Sequence, residues 1–224
     1  MTQELWNQVD DYINQMLAPA DSALQNAIEK SNEAGLPQIQ VSPSHGKLLH
    51  VLARTIGARR ILEIGTLGGY STIWLARALP PNGKLITLEA SPKHAEVARG
   101  NIAAAGVDEK VELRLGPALE TLPQLAAEKP EPFDFIFIDA DKKSMPQYFD
   151  WALKLSRKGS LIYSDNVVRS GGIADIASKD PDIQGVRRFY EVLHSEPRVC
   201  ATAIQTVGGK GYDGYALALV TGEI

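Results

Sequence analysis

Residues 61–71 read ILEIGTLGGYS, and the order of residue types in this stretch decides the fold. The apolar run at 61–64 has the length of a buried strand. Gly65, Gly68 and Gly69 follow, allowing a tight turn and close approach of backbone to a ligand. The periodicity from 70 to 79 is helical. A strand, a glycine turn and a helix form the opening unit of a doubly wound α/β sheet.

The alternation continues downstream. Strands are predicted at 85–88, 111–115, 133–138 and 160–163. Helices are predicted from Pro92 to about Gly106, over 118–127 and near 146–155. Repeated βα units imply a parallel sheet with helices on both faces. The run at 133–138 is apolar except for Asp134 and reads as a central strand. A polar, glycine-containing segment at 167–180 precedes a helix near 183–193. Strands at 199–204 and 215–220, joined by the turn-rich VGGKGYDG at 207–214, predict an antiparallel C-terminal hairpin at one side. That makes seven strands.

Upstream, Leu5, Val9, Tyr12, Ile13, Met16 and Leu17 recur at helical spacing, and Pro19 interrupts them. Asp21 or Ser22 can cap a second helix, which Gly35 and Pro37 close. Ser42-Pro43 opens a third, through Leu48, Leu49, Leu52 and Ala53. Residues 1–57 thus read as an N-terminal helical extension of one domain spanning 1–224, without repeats or linkers.

The formal net charge of -4 leaves no electrostatic footprint for nucleic acid or an anionic membrane surface. No stretch approaches the roughly 18 apolar residues of a membrane span. The first twenty residues lack the apolar core of a secretory signal. The single cysteine, Cys200, has no internal disulfide partner, and a cytoplasmic location is the expectation.

Ligands of doubly wound sheets bind outside the carboxyl ends of the strands. The first strand delivers Glu63, Gly65, Thr66 and Ser71 there, and the second delivers Glu89. The loop departs from the dinucleotide fingerprint G-x-G-x-x-G. Glu63, two residues before Gly65, suits an amino group or sulfonium better than a pyrophosphate. Glu89 stands where a ribose diol would lie and is compatible with either nucleotide class. The stretch FDFIFIDADKKS at 133–144 sends Asp139, Asp141 and Lys142 out of a buried strand. Asp165 and Asn166 leave the next strand, 26 residues after Asp139. Asp139, Asp165 and Asn166 together fit a hard cation such as Mg²⁺, with Mn²⁺ or Ca²⁺ as alternatives. The cysteine and four scattered histidines lack zinc-site spacing, and no chemistry is expected of His45. Arg169, Tyr212 and Tyr215 are conceivable acceptor contacts, and the segment at 167–185 is expected to close over the acceptor.

In order and spacing, LEIGTLGGYS, Glu89, DADK and SDN resemble the metal-dependent class I O-methyltransferases, the group of caffeoyl-CoA and catechol O-methyltransferases. The resemblance covers about Val41 to the C-terminus and implies a Rossmann-like fold. It implies S-adenosylmethionine as cofactor, a divalent cation and a small phenolic acceptor. Glu63, Gly65, Thr66 and Ser71 would then hold the methionine side of the cofactor, and Glu89 the ribose hydroxyls. Ala118 would lie against the adenine, Val41 would line the pocket, and Asp141 would face the methionyl amino group. Asp139, Asp165 and Asn166 would ligate the metal, and Lys142 would be the general base. A homodimer is also implied. Two rivals stay open at this point: a nicotinamide-dependent oxidoreductase, and a non-catalytic cofactor-binding module.

Overall fold

The computed structural model describes residues 2–19 and 21–224. Among these, seven strands form one sheet: β1 (Arg60–Ile64), β2 (Lys84–Glu89), β3 (Val111–Leu115), β4 (Phe133–Ile138), β5 (Ser156–Asp165), β6 (Val199–Gly208) and β7 (Gly211–Val220). Their spatial order is β3-β2-β1-β4-β5-β7-β6. β1 to β5 are parallel, and β7 runs antiparallel to both β5 and β6. The helices are α1 (Gln3–Leu17), α2 (Ser22–Glu33), α3 (Pro43–Thr55), α4 (Tyr70–Ala78), α5 (Pro92–Ala104), α6 (Ala118–Ala127), α7 (Met145–Lys154) and α8 (Pro181–Ser195). This is the Rossmann-like, mostly parallel sheet with N-terminal helices and a C-terminal hairpin that the sequence predicts.

Each face of the sheet has its own core. Ile136 and Ile138 of β4 join Leu122, Phe149, Val186 and Phe189 from α6, α7 and α8. Phe135 and Phe137 point the other way, toward Leu49, Ile73 and Ile102 of α3, α4 and α5. Burial on both faces is why β4 reads as a continuous apolar run. Local signals fix the helix starts. Asp21 Oδ1 accepts from the amides of Ala23 (3.1 Å) and Leu24 (3.0 Å), so Asp21 rather than Ser22 is the cap. Ser42 and Ser91 cap α3 and α5, each followed by proline in the first turn.

The structure departs from the sequence reading in three elements. β5 begins at Ser156, not 160, because its first half passes through an irregular register opposite Phe133 and Phe135. There Ser160 Oγ accepts from Arg157 N (2.9 Å) and donates to the Phe133 carbonyl (2.7 Å). Polar residues with no apolar face give no periodic signal for such a segment. α8 starts at Pro181, with Asp180 accepting from the amides of Asp182 (2.8 Å) and Ile183 (3.4 Å). The hairpin is longer than predicted, with its tip at Gly209 and Lys210 between the paired Gly208 and Gly211. Its tip reaches α1, where Gly209 N donates to Asp10 Oδ2 (2.7 Å) and Gln3 Nε2 to the Gly208 carbonyl (2.8 Å).

The one charge within β4, Asp134, sits at the end of the strand away from the carboxyl tips. Its Oδ2 accepts from the amides of Arg59 (2.8 Å) and Arg60 (3.0 Å), and its Oδ1 pairs with the Arg157 guanidinium. Asp134 therefore ties the starts of β1, β4 and β5 together. Among the described residues, no helix is long and apolar enough to cross a membrane.

Candidate functional site

The strand order reverses between β1 and β4, which opens a crevice at their carboxyl ends. The two strand ends lie close there: Asp139 N donates to the Ile64 carbonyl at 2.9 Å. Gly65 adopts φ 103°, and a Cβ on it would overlap the Asp139 carbonyl oxygen. Only glycine meets both demands. Around this point lies a cavity of about 1300 Å³. That exceeds the usual 300–1,000 Å³ of a single-ligand pocket, so there is room for two molecules side by side.

The cavity wall contains Val41, Gly65, Thr66, Ser71, Glu89 and Ala118, together with Asp139, Asp141, Lys142, Asp165 and Asn166. Glu63 is the exception among the residues that the resemblance assigns to cofactor and metal. It is fully buried behind the glycine loop and does not line the cavity. Its carboxylate accepts from Ser71 Oγ (2.6 Å), Thr72 Oγ1 (2.5 Å) and Thr87 Oγ1 (2.7 Å). Burial pushes it up to about 7, against the pull of the three hydroxyls. The sequence reading of Glu63 as a direct ligand contact is thus corrected: strand alternation turns it toward α4 and β2, and it reaches the cavity through Ser71 and, by way of the Thr87 hydroxyl, through Thr66.

Glu89 shapes the glycine loop from below. Its Oε2 accepts from the amides of Thr66 (3.2 Å) and Leu67 (2.8 Å), and its Oε1 accepts from Ser91 N (2.9 Å). His94 Nδ1 lies 3.3 Å from the same Oε1. Oε2 is thus filled by two amides, and the spare acceptor capacity of Glu89 toward the cavity is the second lone pair of Oε1.

The acidic half of the cavity comes from β4 and β5. Lys142 Nζ donates to Asp139 Oδ1 at 2.8 Å, and the lysine side chain is only 6% exposed. Asp141 accepts from Ser144 N (3.2 Å) and from the Tyr148 hydroxyl. Burial pushes its carboxyl up, but those bonds and the Lys143 charge outweigh burial and hold it below its ordinary value. Asp165 is buried, and its carboxyl is raised first by that burial and then by the negative charge of Asp139. Asn166 follows in the left-handed region, at φ 56°.

Several cavity residues have no role in the sequence reading. His45, in the first turn of α3, is one of them. Its Nε2 is 2.7 Å from the Tyr163 hydroxyl and 4.0 Å from Asp165 Oδ1. Burial lowers the imidazole, and burial also holds the Tyr163 phenol well above its usual value. A protonated phenol beside a neutral imidazole donates to Nε2 and leaves the ring proton on Nδ1. The hairpin tip contributes Lys210, whose Nζ donates to the Gln38 carbonyl at 3.0 Å and whose ammonium is lowered by burial. Arg169 and Tyr215 line the cavity as conceived, whereas Tyr212 lines a separate pocket of about 310 Å³.

The chain has close relatives. A family described as O-methyltransferase matches residues 15–219. A catechol O-methyltransferase from Niastella koreensis is 53% identical over 220 residues, covering 98% of this chain and 100% of the relative. An O-methyltransferase from Bacillus cereus, solved in complex with SAH, is 56% identical with a TM-score of 0.97, covering 98% of this chain and 100% of that one. An O-methyltransferase of tomaymycin synthesis from Streptomyces achromogenes, solved with SAM, is 54% identical with a TM-score of 0.96, covering 99% and 100%.

Proposed function

The chain belongs to the O-methyltransferase family and is an S-adenosylmethionine-dependent enzyme; from that premise we propose that it methylates a hydroxyl of a catechol-like phenol with the assistance of a divalent cation. The observation that carries this reading is the meeting of Asp139, Lys142, Asp165 and Asn166 in the cavity that also holds the glycine loop.

The donor set fits a hard cation. Two carboxylates and an amide oxygen suit Mg²⁺, and Mn²⁺ or Ca²⁺ accept the same ligands. Among the described residues no group of three or more His, Cys, Asp or Glu side chains is placed around one point, so the third protein ligand would be the Asn166 amide. The charge of Asp139 raises the Asp165 carboxyl more than that of Lys142 lowers it, as expected of two carboxylates that face one another. A cation held there would supply Lewis-acid stabilisation of a phenolic oxyanion.

A simple phenol has a pKa near 10, so ionising it at pH 7 costs roughly 4 kcal/mol. Lys142 takes the phenolic proton on Nζ as the neutral amine, one of whose N–H bonds donates to Asp139 Oδ1 and fixes that nitrogen at the cavity wall. Gly65, Thr66 and Ser71 carry the methionine side of the cofactor, and Asp141 faces its amino group. Glu89 takes the ribose hydroxyls, Ala118 packs on the adenine, and Val41 lines the cofactor pocket. S-adenosylmethionine supplies the methyl group that the phenolic oxygen attacks.

Radiolabelled methyl transfer to a panel of vicinal diphenols, with and without EDTA, tests this. EDTA is expected to lower the rate by at least about 10²-fold, which corresponds to two-thirds of the roughly 4 kcal/mol ionisation cost, and added Mg²⁺ restores it. Full-rate transfer in EDTA would end the metal reading. No transfer to any vicinal diphenol would end the acceptor reading.

We also propose that the enzyme works as a homodimer. No residue of α1 is fully buried, and its Leu5, Val9, Tyr12 and Met16 form an exposed apolar stripe. Val9→Asp with Tyr12→Asp is expected to turn a dimer into monomers in sedimentation velocity without altering SAH affinity. An unsubstituted enzyme that sediments as a monomer at tens of micromolar would refute it.

A further inference from the structure

The turn after β5 brings Asn166 and Arg169 to the cavity on a backbone that L-residues avoid. Asn166 has φ 56°, Arg169 54° and Ser170 54°, before Gly171 at 84°. Non-glycine residues persist in this region only where the surroundings over-determine them. Here the surroundings are the start of β7. Val167 N donates to the Gly214 carbonyl at 3.0 Å. Asp213 Oδ1 alone accepts from three amides: Val168 (2.9 Å), Arg169 (2.9 Å) and its own neighbour Gly214 (3.0 Å). An ionised acceptor makes the stronger class of hydrogen bond to such amides. The neighbour must be glycine, because a Cβ at 214 would overlap the Ile204 carbonyl oxygen and crowd Val168.

We propose that Asp213 is a positioning residue for the methyl-transfer site: it clamps the left-handed turn that presents the Asn166 amide beside Asp165. The assignment rests on the metal reading given above. It explains why a carboxylate from the far C-terminal hairpin lines the cavity while no conceived ligand contact falls to it. Asp213 acts through the backbone of Val168 and Arg169 and not on the acceptor.

The test is Mn²⁺ binding, followed by the loss of the free-ion EPR signal on adding MnCl₂ to the SAH-loaded enzyme. Partners behind a metal ligand typically cost 10–100-fold in metal affinity when removed. Asp213→Ala is therefore expected to weaken Mn²⁺ by at least about tenfold, with SAH affinity changed by less than about twofold. Asp213→Asn keeps an oxygen for the three amides and should recover most of the loss. Should Asp213→Ala fail to fold, Asp213→Glu displaces the oxygen by one methylene, keeps the charge and should give the same split. Equal weakening of SAH and Mn²⁺, or unchanged Mn²⁺ binding in the substituted enzymes, overturns the assignment. If the unsubstituted enzyme binds no Mn²⁺, the metal reading itself fails, and the assignment falls with it.

Discussion

Replacing Lys142 with alanine is expected to lower kcat by roughly 10²–10⁴-fold, the usual contribution of a positioned base, while SAH affinity stays within about twofold. The side chain is held from two directions. Asp139 Oδ1 accepts its Nζ at 2.8 Å. Its backbone opens the short turn Lys142–Ser144, which packs on α8 where a Cβ on Gly185 would overlap the Lys142 carbonyl oxygen. A companion substitution separates two roles. Lys142→Arg keeps the positive charge beside Asp139 but cannot give up its proton at any working pH. If Lys142 is the base, the arginine enzyme is as slow as the alanine enzyme. If Lys142 only neutralises the acidic pair, arginine restores turnover, and the proton-transfer role is wrong. Near-normal kcat in Lys142→Ala would remove both roles at once.

Gly65→Ala is expected to cost about 2–4 kcal/mol of stability and to abolish measurable SAH binding. The residue combines φ 103° with a backbone oxygen where its Cβ would stand, so neither the torsion nor the neighbour can yield cheaply. For a chain of this size the loss is a drop in Tm of roughly 5–15 °C by calorimetry. Gly57→Ala is the control, since it shares a positive φ of 63° but meets nothing within 4 Å. It should cost only about 1–2 kcal/mol, the torsional part, and leave SAH binding intact. A Gly65→Ala enzyme with unchanged Tm and SAH affinity would show that β1 and β4 are not held together at this point.

The βα half of the fold was legible because its signals are local. Ser-Pro starts at Ser42 and Ser91, the glycines after Ile64, and the apolar run of β4 each declare themselves within a few residues. Glu89, Asp139, Asp141 and Asp165 were legible for the same reason, since each stands at or just beyond a strand tip, whereas Asp213, brought in by the hairpin, was not. Glu63 was misplaced although the needed signal was present. Strand alternation puts it on the face opposite Leu62 and Ile64, directly beside Thr87 in the register. The first half of β5, the hairpin tip and His45 were not legible. Each owes its place to partners far along the chain, as when Tyr163 meets His45, 118 residues away. The nicotinamide alternative, open on the glycine loop and Glu89 alone, closes with family membership.

Two acids flank the length of β4, Asp134 near its start and Asp139 just past its end, five residues apart. At about 3.3 Å per residue their backbones are separated by roughly 16 Å. Asp134 is buried, so salt screens its charge little, but its pairing with Arg157 leaves the rear of the strand near neutral, and the pair can be exchanged as a unit with little change of field at the front. Heat tolerance and turnover in this enzyme are separable properties, adjustable at opposite ends of a single strand.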